Sequence, residues 1–367
     1  MLNASHPLKK MLQHKISFCT VCMNRTMHLK KTLLQNIQDN AGYSPLEFVL
    51  LNYGSRDDLD QWARQELRPY IESGVVVYYH NPDPAYFHMS HAKNMAFRLA
   101  SGDILCSVDA DNYTGQGFAT YIHQTFLREY PCFMSPAGIG PGKKWWDVQG
   151  RICVLRDDFN ALRGYDESVM DYGYEDQDFK GRLVANGKKK VIIRDPAYLQ
   201  AIRHDDTMRI ASGFTTTRMT DLLVGHYCED TSEVICLQND HTFERFYVDR
   251  DLLHYQSTDD ELKPKKRYTG TYRETDNIIQ LYRENGHKYL QLTRETNDAL
   301  SADDQRTFYR ITSGALRDTF LLQRAIYLGR KVFFRNRKKA HAINPEGFGN
   351  GRAYRNFSDE AMLLGRV

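Results

Sequence analysis

Hydrophobic strands and amphipathic helices alternate over the first third of the chain, and this alternation constrains the fold more than any other feature. Strands that alternate with helices of this length predict βαβ units and a parallel sheet. The sequence therefore predicts an α/β fold with a Rossmann-like, mostly parallel central sheet flanked by helices. The four strand-like runs are Ile16–Val21, Phe48–Leu51, Val75–Tyr79 and Ile104–Val108.

The last of these strands ends in Asp109-Ala110-Asp111. Two carboxylates at positions i and i+2 of a strand point to the same face. Ligands of open α/β sheets gather outside the carboxyl ends of the strands. Because Mg²⁺ and Mn²⁺ prefer carboxylate oxygens and often share their site with substrate phosphates, the pair indicates a metal–diphosphate site. The alternative is an ordinary turn or a solvated loop end.

A helix is expected just before this strand. Ser90 is suited to cap it, and Ser101-Gly102 is suited to end it. The apolar residues between these points recur at the spacing of one buried helical face. They are Ala92, Met95, Ala96, Leu99 and Ala100.

The composition is that of a globular protein, with 41% hydrophobic and 26% charged residues and a net charge of +3 over 367 residues. So small a net charge argues against nucleic acid as a partner. The chain has no run of 18 apolar residues, no signal-peptide-like start and seven scattered cysteines, which favours a cytoplasmic location with free thiols. Cys19 and Cys22 form a CxxC pair that we interpret as core packing, with zinc or redox use as the alternative.

The alternation loosens after Asn112, so the rest of the chain is divided by composition. We expect an N-terminal tail at 1–14, a main domain at 15–215, an accessory module at 216–315 and a basic segment at 316–367. The accessory module is rich in Tyr and charged residues and has no clear period. Elements expected between these features are a helix over Glu175–Asn186 and strands over Ile152–Leu155 and Val191–Ile193.

Basic and apolar residues interleave between residues 317 and 339. A basic amphipathic helix of this kind can lie on an anionic membrane surface, which would place the protein at the inner face of a membrane. The alternative, which we favour, is a helix docked on the core with a solvated basic face.

Three further polar segments follow the order of a known family. They are Cys22-Met-Asn-Arg25, the pair Gly164-Tyr-Asp-Glu167 and Tyr172–Asp178, and Ile202-Arg-His-Asp205. Together with the acidic pair they resemble the GT-A glycosyltransferases over about residues 15 to 210, in particular family 2 capsule and polysaccharide enzymes and the β-1,4-galactosyltransferase group. The resemblance implies a GT-A fold with a C-terminal accessory region. It also implies a metal-dependent, inverting transferase that moves a hexose or N-acetylhexosamine from a UDP-sugar to a saccharide or glycolipid acceptor.

The resemblance also implies a metal site. Asp111 would ligate Mn²⁺ or Mg²⁺ directly, and Asp109 would bind the ribose or reach the metal through water. His204 would add a nitrogen ligand, which favours Mn²⁺. The galactosyltransferase group has a Met three residues before this His, where this chain has Ala201, so the ligand set departs from that pattern.

Catalytic roles follow in the same way. Asp176 would be the general base that takes the acceptor hydroxyl proton, and Glu175 would bind acceptor hydroxyls. Asp178 is expected to be structural. Acids in the first turn of a helix also stabilise it through the helix dipole, which is the alternative interpretation of this cluster.

The remaining candidates would bind the donor or the acceptor. Arg25 would hold the nucleotide phosphate or ribose, Asn52 would meet the base edge, and Lys93 would reach the diphosphate. Asp57 or Asp58 could supply the acid that the family uses to read uracil. Trp145 and Trp146 would stack on acceptor sugars, or else anchor a hydrophobic loop.

Two other functions share parts of this pattern. A sugar-phosphate nucleotidyltransferase also has a Rossmann-like half, but it carries a Gly-rich basic loop after the first strand, where this chain has Cys22-Met-Asn-Arg-Thr26. A non-catalytic carbohydrate-binding protein on the same fold would not be expected to keep all of Asp109, Asp111, Asp176 and His204.

Overall fold

A computed structural model describes residues 13–137, 146–248, 264–338 and 342–365. The chain forms two compact units that are not consecutive in sequence. Among the described residues, the first unit takes in Met1–Ser168, Glu175–Arg203 and Arg335–Val367, and the second takes in Val169–Tyr174 and His204–Phe334. The boundaries of these units differ from the domain boundaries expected at residues 215 and 315, because the chain returns to the first unit after it has formed the second.

The first unit is built on a mixed nine-stranded sheet, with a separate two-stranded ladder. Its strands, in labels that run along the whole chain, are β1 (Ile16–Cys22), β2 (Leu46–Tyr53), β3 (Val76–Asn81), β4 (Ile104–Ser107), β5 (Asn112–Tyr113), β6 (Cys132–Pro136), β7 (Cys153–Leu155), β8 (Lys189–Ile193), β9 (Gln200–Ala201), β18 (Gly351–Arg355) and β19 (Ala361–Leu364). The strand order in the sheet is β19-β18-β3-β2-β1-β4-β7-β6-β8, and β5 pairs with β9 in the ladder. The helices are α1 (Thr26–Asp39), α2 (Leu59–Glu66), α3 (Arg68–Glu72), α4 (Met89–Leu99), α5 (Phe118–Glu129), α6 (Arg156–Ala161) and α7 (Glu175–Ala185).

The predicted α/β fold is confirmed, with two corrections. The sheet is parallel at β3-β2-β1-β4 and at β6-β8, but β7 and the β18–β19 hairpin join it antiparallel, so it is mixed rather than mostly parallel. The helix before the acidic pair begins at Met89 with His88 as its N-cap, so Ser90 lies inside the first turn, fully buried, and does not cap it.

Core residues lie on both faces of the central strands, as expected for parallel strands covered by helices. Phe18 and Leu50 contribute to one cluster, whereas Leu51 contributes to the other together with Met95 and Ala96 of α4. This packing places α4 against the sheet immediately before β4, and it brings the carboxyl ends of β1, β2 and β4 to one edge.

The second unit contains a closed barrel of eight antiparallel strands. Its interior is filled by apolar side chains, including Leu223, Ile235, Leu281 and Phe308. Its strands are β10 (Met219–Cys228), β11 (Thr231–Gln238), β12 (Thr242–Val248), β13 (Pro264–Glu274), β14 (Ile278–Arg283), β15 (Lys288–Arg294), β16 (Ala299–Ala302) and β17 (Thr307–Arg310). Its helices are α8 (Asp206–Ile210), α9 (Phe214–Arg218) and α10 (Gly314–Lys338).

The basic segment forms α10, whose apolar face packs on the barrel. Phe320 and Leu321 share a core cluster with Phe246, and the buried Arg324 forms ion pairs with Asp171 at 2.7 Å and Glu244 at 2.5 Å. The interpretation of this segment as a docked helix is therefore confirmed. Within the described ranges, no helix is both long and apolar enough to cross a membrane.

Candidate active site

The acidic pair lies where β4 ends at the sheet edge. Asp111 is fixed on two sides, because its carbonyl accepts the Ile202 N–H at 2.8 Å and its Oδ1 accepts Asn112 Nδ2 at 2.7 Å. Asn112 is fully buried, and its Oδ1 in turn accepts Nη2 of the fully buried Arg151 at 3.1 Å. A chain of hydrogen bonds therefore runs from Arg151 to the carboxylate of Asp111.

Asp109 has an unusual electrostatic environment. Burial raises its pKa to about 6, and the charges of Asp111 and Asp176 act in the same direction, whereas Lys93 opposes them. Gly150 lies directly against this carboxylate, since a Cβ added there would be 2.6 Å from Asp109 Oδ2. Asp109 thus places a negatively charged carboxylate against the backbone of residue 150, where there is no room for a side chain.

Lys93 joins the sheet edge to the acidic start of α7. Its side chain is 3% exposed, and its Nζ lies 2.8 Å from Asp176 Oδ1 and 3.4 Å from Glu175 Oε1. Burial disfavours the charged amine, but Asp176, Glu175 and Asp109 outweigh it and hold the pKa of Lys93 well above its usual value. The sequence suggested that Lys93 reaches the donor diphosphate; in the structure this amine is held by two carboxylates.

The two acids at the start of α7 are both buried. Burial, followed by the charge of Asp176, raises the pKa of Glu175 to about 7. Lys180, one turn further along α7, is also buried, which lowers its pKa to about 8, and the charge of Asp176 opposes that shift. Asp178 pairs with Arg182 at 2.7 Å, the kind of contact expected for a structural residue.

The residues proposed for the nucleotide lie on the neighbouring strands. Arg25 is the N-cap of α1, just after β1. Asn52 is 1% exposed, and both ends of its amide have partners: Nδ2 donates to the Tyr78 hydroxyl at 2.9 Å, and Oδ1 accepts from Ser55 N at 2.9 Å. The amide of Asn52 therefore holds the turn after β2.

Asp57 and Asp58, the alternatives to Asn52 for reading the base, also have partners within the fold. Asp57 accepts the N–H of Thr26, the first residue of α1, at 3.0 Å. Asp58 forms an exposed ion pair with Lys30 at 2.5 Å. Both contacts tie the start of α2 to α1.

Three predicted site residues remain. His204 belongs to the second unit, where its Nδ1 lies 3.0 Å from the Asp205 carbonyl oxygen. Trp145 lies outside the described residues, and Trp146 begins a 3₁₀-helix, Trp146–Val148, without a described side chain. His204 as a metal ligand and the tryptophans as acceptor contacts stay predictions from the sequence.

A divalent cation fits the acidic pair chemically. Burial, and then the charges of Asp111 and Asp176, raise the pKa of Asp109, and a bound cation would offset both effects by stabilising the ionised carboxylate. Carboxylate oxygens also suit Mg²⁺ and Mn²⁺. In the described part of the chain, no group of three or more His, Cys, Asp or Glu side chains is placed to hold a metal, so a cation there would rely on two carboxylates and on ligands from substrate or water. Cys19 and Cys22 are free, buried and in different core clusters, as expected for packing residues.

Sequence reasoning missed Arg151, Asn112 and Lys180. Asn112 directly follows the acidic pair, and Lys180 lies four residues after Asp176, so spacing could have found both. Arg151 carries no local signal, because only the fold brings it to Asn112 across 39 residues.

Comparison with known proteins gives one family match. Residues 17–170 match the model of glycosyl transferase family 2. No curated protein matches the chain.

Several solved structures are similar to the chain at low sequence identity. A mannosyltransferase from Pyrobaculum calidifontis in complex with GDP-Man and Mn²⁺ is 16% identical, with a TM-score of 0.42 over 50% of this chain and 56% of that one. S. aureus TarS 1–349 in complex with UDP is 14% identical, with a TM-score of 0.43 over 53% and 62%. The catalytic domain of Drosophila β1,4-galactosyltransferase 7 with xylobiose is 14% identical, with a TM-score of 0.37 over 74% and 90%.

The chain thus spans only 56% and 62% of the length of the first two of these structures. The likeness to capsule enzymes and to the galactosyltransferase group stays an expectation from the sequence. The first unit has a mixed central sheet flanked by helices, and its residues 17–170, less than half of the chain, match the model of glycosyl transferase family 2.

Proposed function

We propose that this chain is a metal-dependent, inverting glycosyltransferase. It would move a hexose or N-acetylhexosamine from a UDP-sugar to a saccharide or lipid-linked acceptor in surface polysaccharide synthesis. The main support for the proposal is that Lys93 lies between two acidic pairs. Its charge interacts with Asp109 after β4 and with Glu175 and Asp176 at the start of α7.

Asp109 and Asp111 form the donor half of the proposed site. They would hold Mn²⁺ or Mg²⁺, which neutralises the diphosphate leaving group when it is bound. The hydrogen bonds from Arg151 to Asn112 and from Asn112 to Asp111 hold the Asp111 carboxylate in one orientation. Arg25, at the start of α1, would contact the nucleotide.

Asp176 and Glu175 form the acceptor half. Asp176 would accept the proton of the attacking hydroxyl, since its carboxylate is fixed by Lys93 at 2.8 Å and so needs little reorganisation. Glu175 would hydrogen-bond the acceptor. Burial and the charge of Asp176 raise the pKa of Glu175 to about 7, so Glu175 titrates near neutral pH.

Association with an anionic membrane would bring such an enzyme to a lipid-linked acceptor. Most of the apolar face of α10 packs on the barrel, so the interaction would be mainly electrostatic, through exposed side chains such as Arg330 and Lys331. Flotation with phosphatidylglycerol vesicles should recover the wild type at low salt and not at high salt. Recovery that persists at high salt would contradict an electrostatic association.

Calorimetry and NMR test the proposed function itself. UDP should bind in the presence of Mn²⁺, more weakly with EDTA, and more weakly again to Asp111→Asn. With an accepted donor and acceptor, ¹H NMR should show the product with the opposite anomeric configuration. Retention of configuration would remove Asp176 as the base, and release of pyrophosphate rather than UDP would indicate a nucleotidyltransferase.

A further inference from the structure

One end of the barrel in the second unit carries polar and aromatic side chains on its inward-facing positions. Directly paired residues of antiparallel strands share a face. Arg245 pairs with Ile235, and Glu233 pairs with Tyr247 two residues further along the same strands. Because Ile235 belongs to the apolar interior, Glu233, Arg245 and Tyr247 also point inward. We call this end, formed by Tyr227, Tyr247, Tyr268 and Tyr289, the tyrosine mouth.

A buried carboxylate anchors the tyrosine mouth. Glu233 is fully buried, and its two oxygens accept three hydrogen bonds. Arg245 Nη1 donates at 3.2 Å, the Tyr289 hydroxyl at 2.8 Å and Arg306 Nη1 at 2.6 Å. These contacts fix both guanidinium groups and the Tyr289 ring.

The guanidinium groups in turn hold the rings. Arg245 lies 3.9 Å from the centre of the Tyr289 ring and 4.3 Å from that of Tyr268, and Arg306 lies 5.6 Å from that of Tyr227. Tyr227 also contacts Tyr247, with ring centres 4.6 Å apart. Even so, Tyr227 is 52% and Tyr268 42% exposed. The mouth therefore presents tyrosine rings to solvent, and fixed guanidinium groups hold these rings from the inner side of the barrel.

A buried network of charges would be an energetically unfavourable way merely to close the end of the barrel. Burying charged groups is expensive, and a buried ion-pair network is often no more stable than apolar side chains of the same volume. Barrel mouths are common ligand sites, where aromatic surfaces and a few fixed polar groups give orientation and specificity. Rigid tyrosine rings with hydroxyl groups suit the apolar face of a sugar ring together with its hydroxyl rim.

Two exposed cations indicate an acidic ligand, because the charges of Arg245 and Arg306 are already balanced by Glu233 and Asp304. Beyond the paired Arg245 and Arg306, the exposed Arg283 lies 5.5 Å from the centre of the Tyr289 ring, and the exposed Lys266 pairs with Tyr247 across the strands. We propose that the tyrosine mouth binds an acidic saccharide, with sugar rings stacked on Tyr227 and Tyr268 and a carboxylate or sulfate near Arg283. This site is independent of the transferase proposal.

The test uses the full-length protein and defined hexasaccharides. Calorimetry would measure binding of hyaluronan, chondroitin sulfate and oligogalacturonate hexasaccharides, with cellohexaose as the neutral comparison. At least one acidic probe should bind, and Tyr227→Ala and Tyr268→Ala should each weaken it about tenfold or more. Tyr268→Phe should retain most of the binding. Binding of UDP and the melting temperature should be unchanged in the same variants.

Tyr309 provides a matched control. It is also 42% exposed on the barrel, but it pairs with Val224, whose side chain faces the helix-covered outside, so Tyr309→Ala should bind as the wild type does. Failure of every acidic probe would overturn the proposal. So would equal binding of cellohexaose, equal binding of polyglutamate, or equal loss of affinity in Tyr309→Ala.

Discussion

The amino group of Lys93 lies 2.8 Å from Oδ1 of Asp176, and both side chains are buried or nearly so. This contact joins α4, which directly precedes the strand of the acidic pair, to α7, which carries the proposed base. One cation is therefore shared by the proposed donor and acceptor halves of the site, and a change at Lys93 should affect both.

Replacement of Lys93 by Met should destabilise the protein. It leaves Glu175 and Asp176 buried without their cation, and breaking a buried pair in this way costs about 3–5 kcal/mol. Urea denaturation measures the free energy of unfolding. The control is Lys30→Met, whose ion pair with Asp58 is exposed and should change stability little. Equal stability of the two variants would show that Lys93 does not hold the acidic pair.

Replacement of Asp176 by Asn should separate catalysis from donor binding. The amide keeps the shape of the side chain but cannot accept the proton, so kcat should fall by about 10²–10⁴-fold. The dissociation constant for UDP with Mn²⁺ should stay close to that of the wild type. Glu175→Gln should instead raise KM for the acceptor more than it lowers kcat. A normal kcat in Asp176→Asn would move the base elsewhere.

Metal affinity should depend on pH through Asp109. Its pKa without metal is raised to about 6, so below that value a proton competes with the cation, and above it the carboxylate is already ionised. Mn²⁺ affinity should therefore fall by about tenfold per pH unit below pH 6 and level off above it. Titrations between pH 5 and 8 measure this dependence. In Asp109→Asn the affinity should be lower and the step near pH 6 absent.

Replacement of Gly150 by Ala should disturb Asp109 directly. The added methyl group would lie 2.6 Å from Asp109 Oδ2, so the carboxylate must move. We expect Mn²⁺ to bind at least about tenfold more weakly, a loss of about 1.4 kcal/mol or more. Gly42→Ala is the matched control, since no atom lies within 4 Å of its added Cβ. Unchanged Mn²⁺ binding in Gly150→Ala would place the metal away from Asp109.

The sequence predicted the first unit better than the second, for a physical reason. Up to Val108 the strands are rich in apolar residues, and α1, α2 and α4 each bury an apolar face, so local pattern and final fold agree. In the barrel, the inward positions include Glu233 and Arg245, which interrupt the apolar alternation that identifies a strand. Because of the charged inward-facing side chains of the tyrosine mouth, the strands around it could not be recognised from the sequence pattern.

Several residues of the candidate site could be predicted from the sequence, but most of their contacts could not. Asp109 and Asp111 were predicted from residue type and position, and Asp176 from the resemblance to glycosyltransferases, and their roles stay predictions. The partners of Lys93 were not, because they lie 82 and 83 residues further along the chain and only the packing of α7 brings them close. Asn52 looked available for a ligand, yet its amide is used by Tyr78 and Ser55.

Metal-dependent hydrolysis of UDP-sugars would show whether Asp111 and a cation act together on the donor. Purified protein would be incubated with a panel of UDP-sugars and Mn²⁺, Mg²⁺ or EDTA, and UDP release would be measured for the wild type, Asp111→Ala and the control Gly42→Ala. We expect slow release from one donor by the wild type and the control, abolished by EDTA and in Asp111→Ala. Release that persists in Asp111→Ala, or no release from any donor together with no UDP binding, would contradict the proposed function.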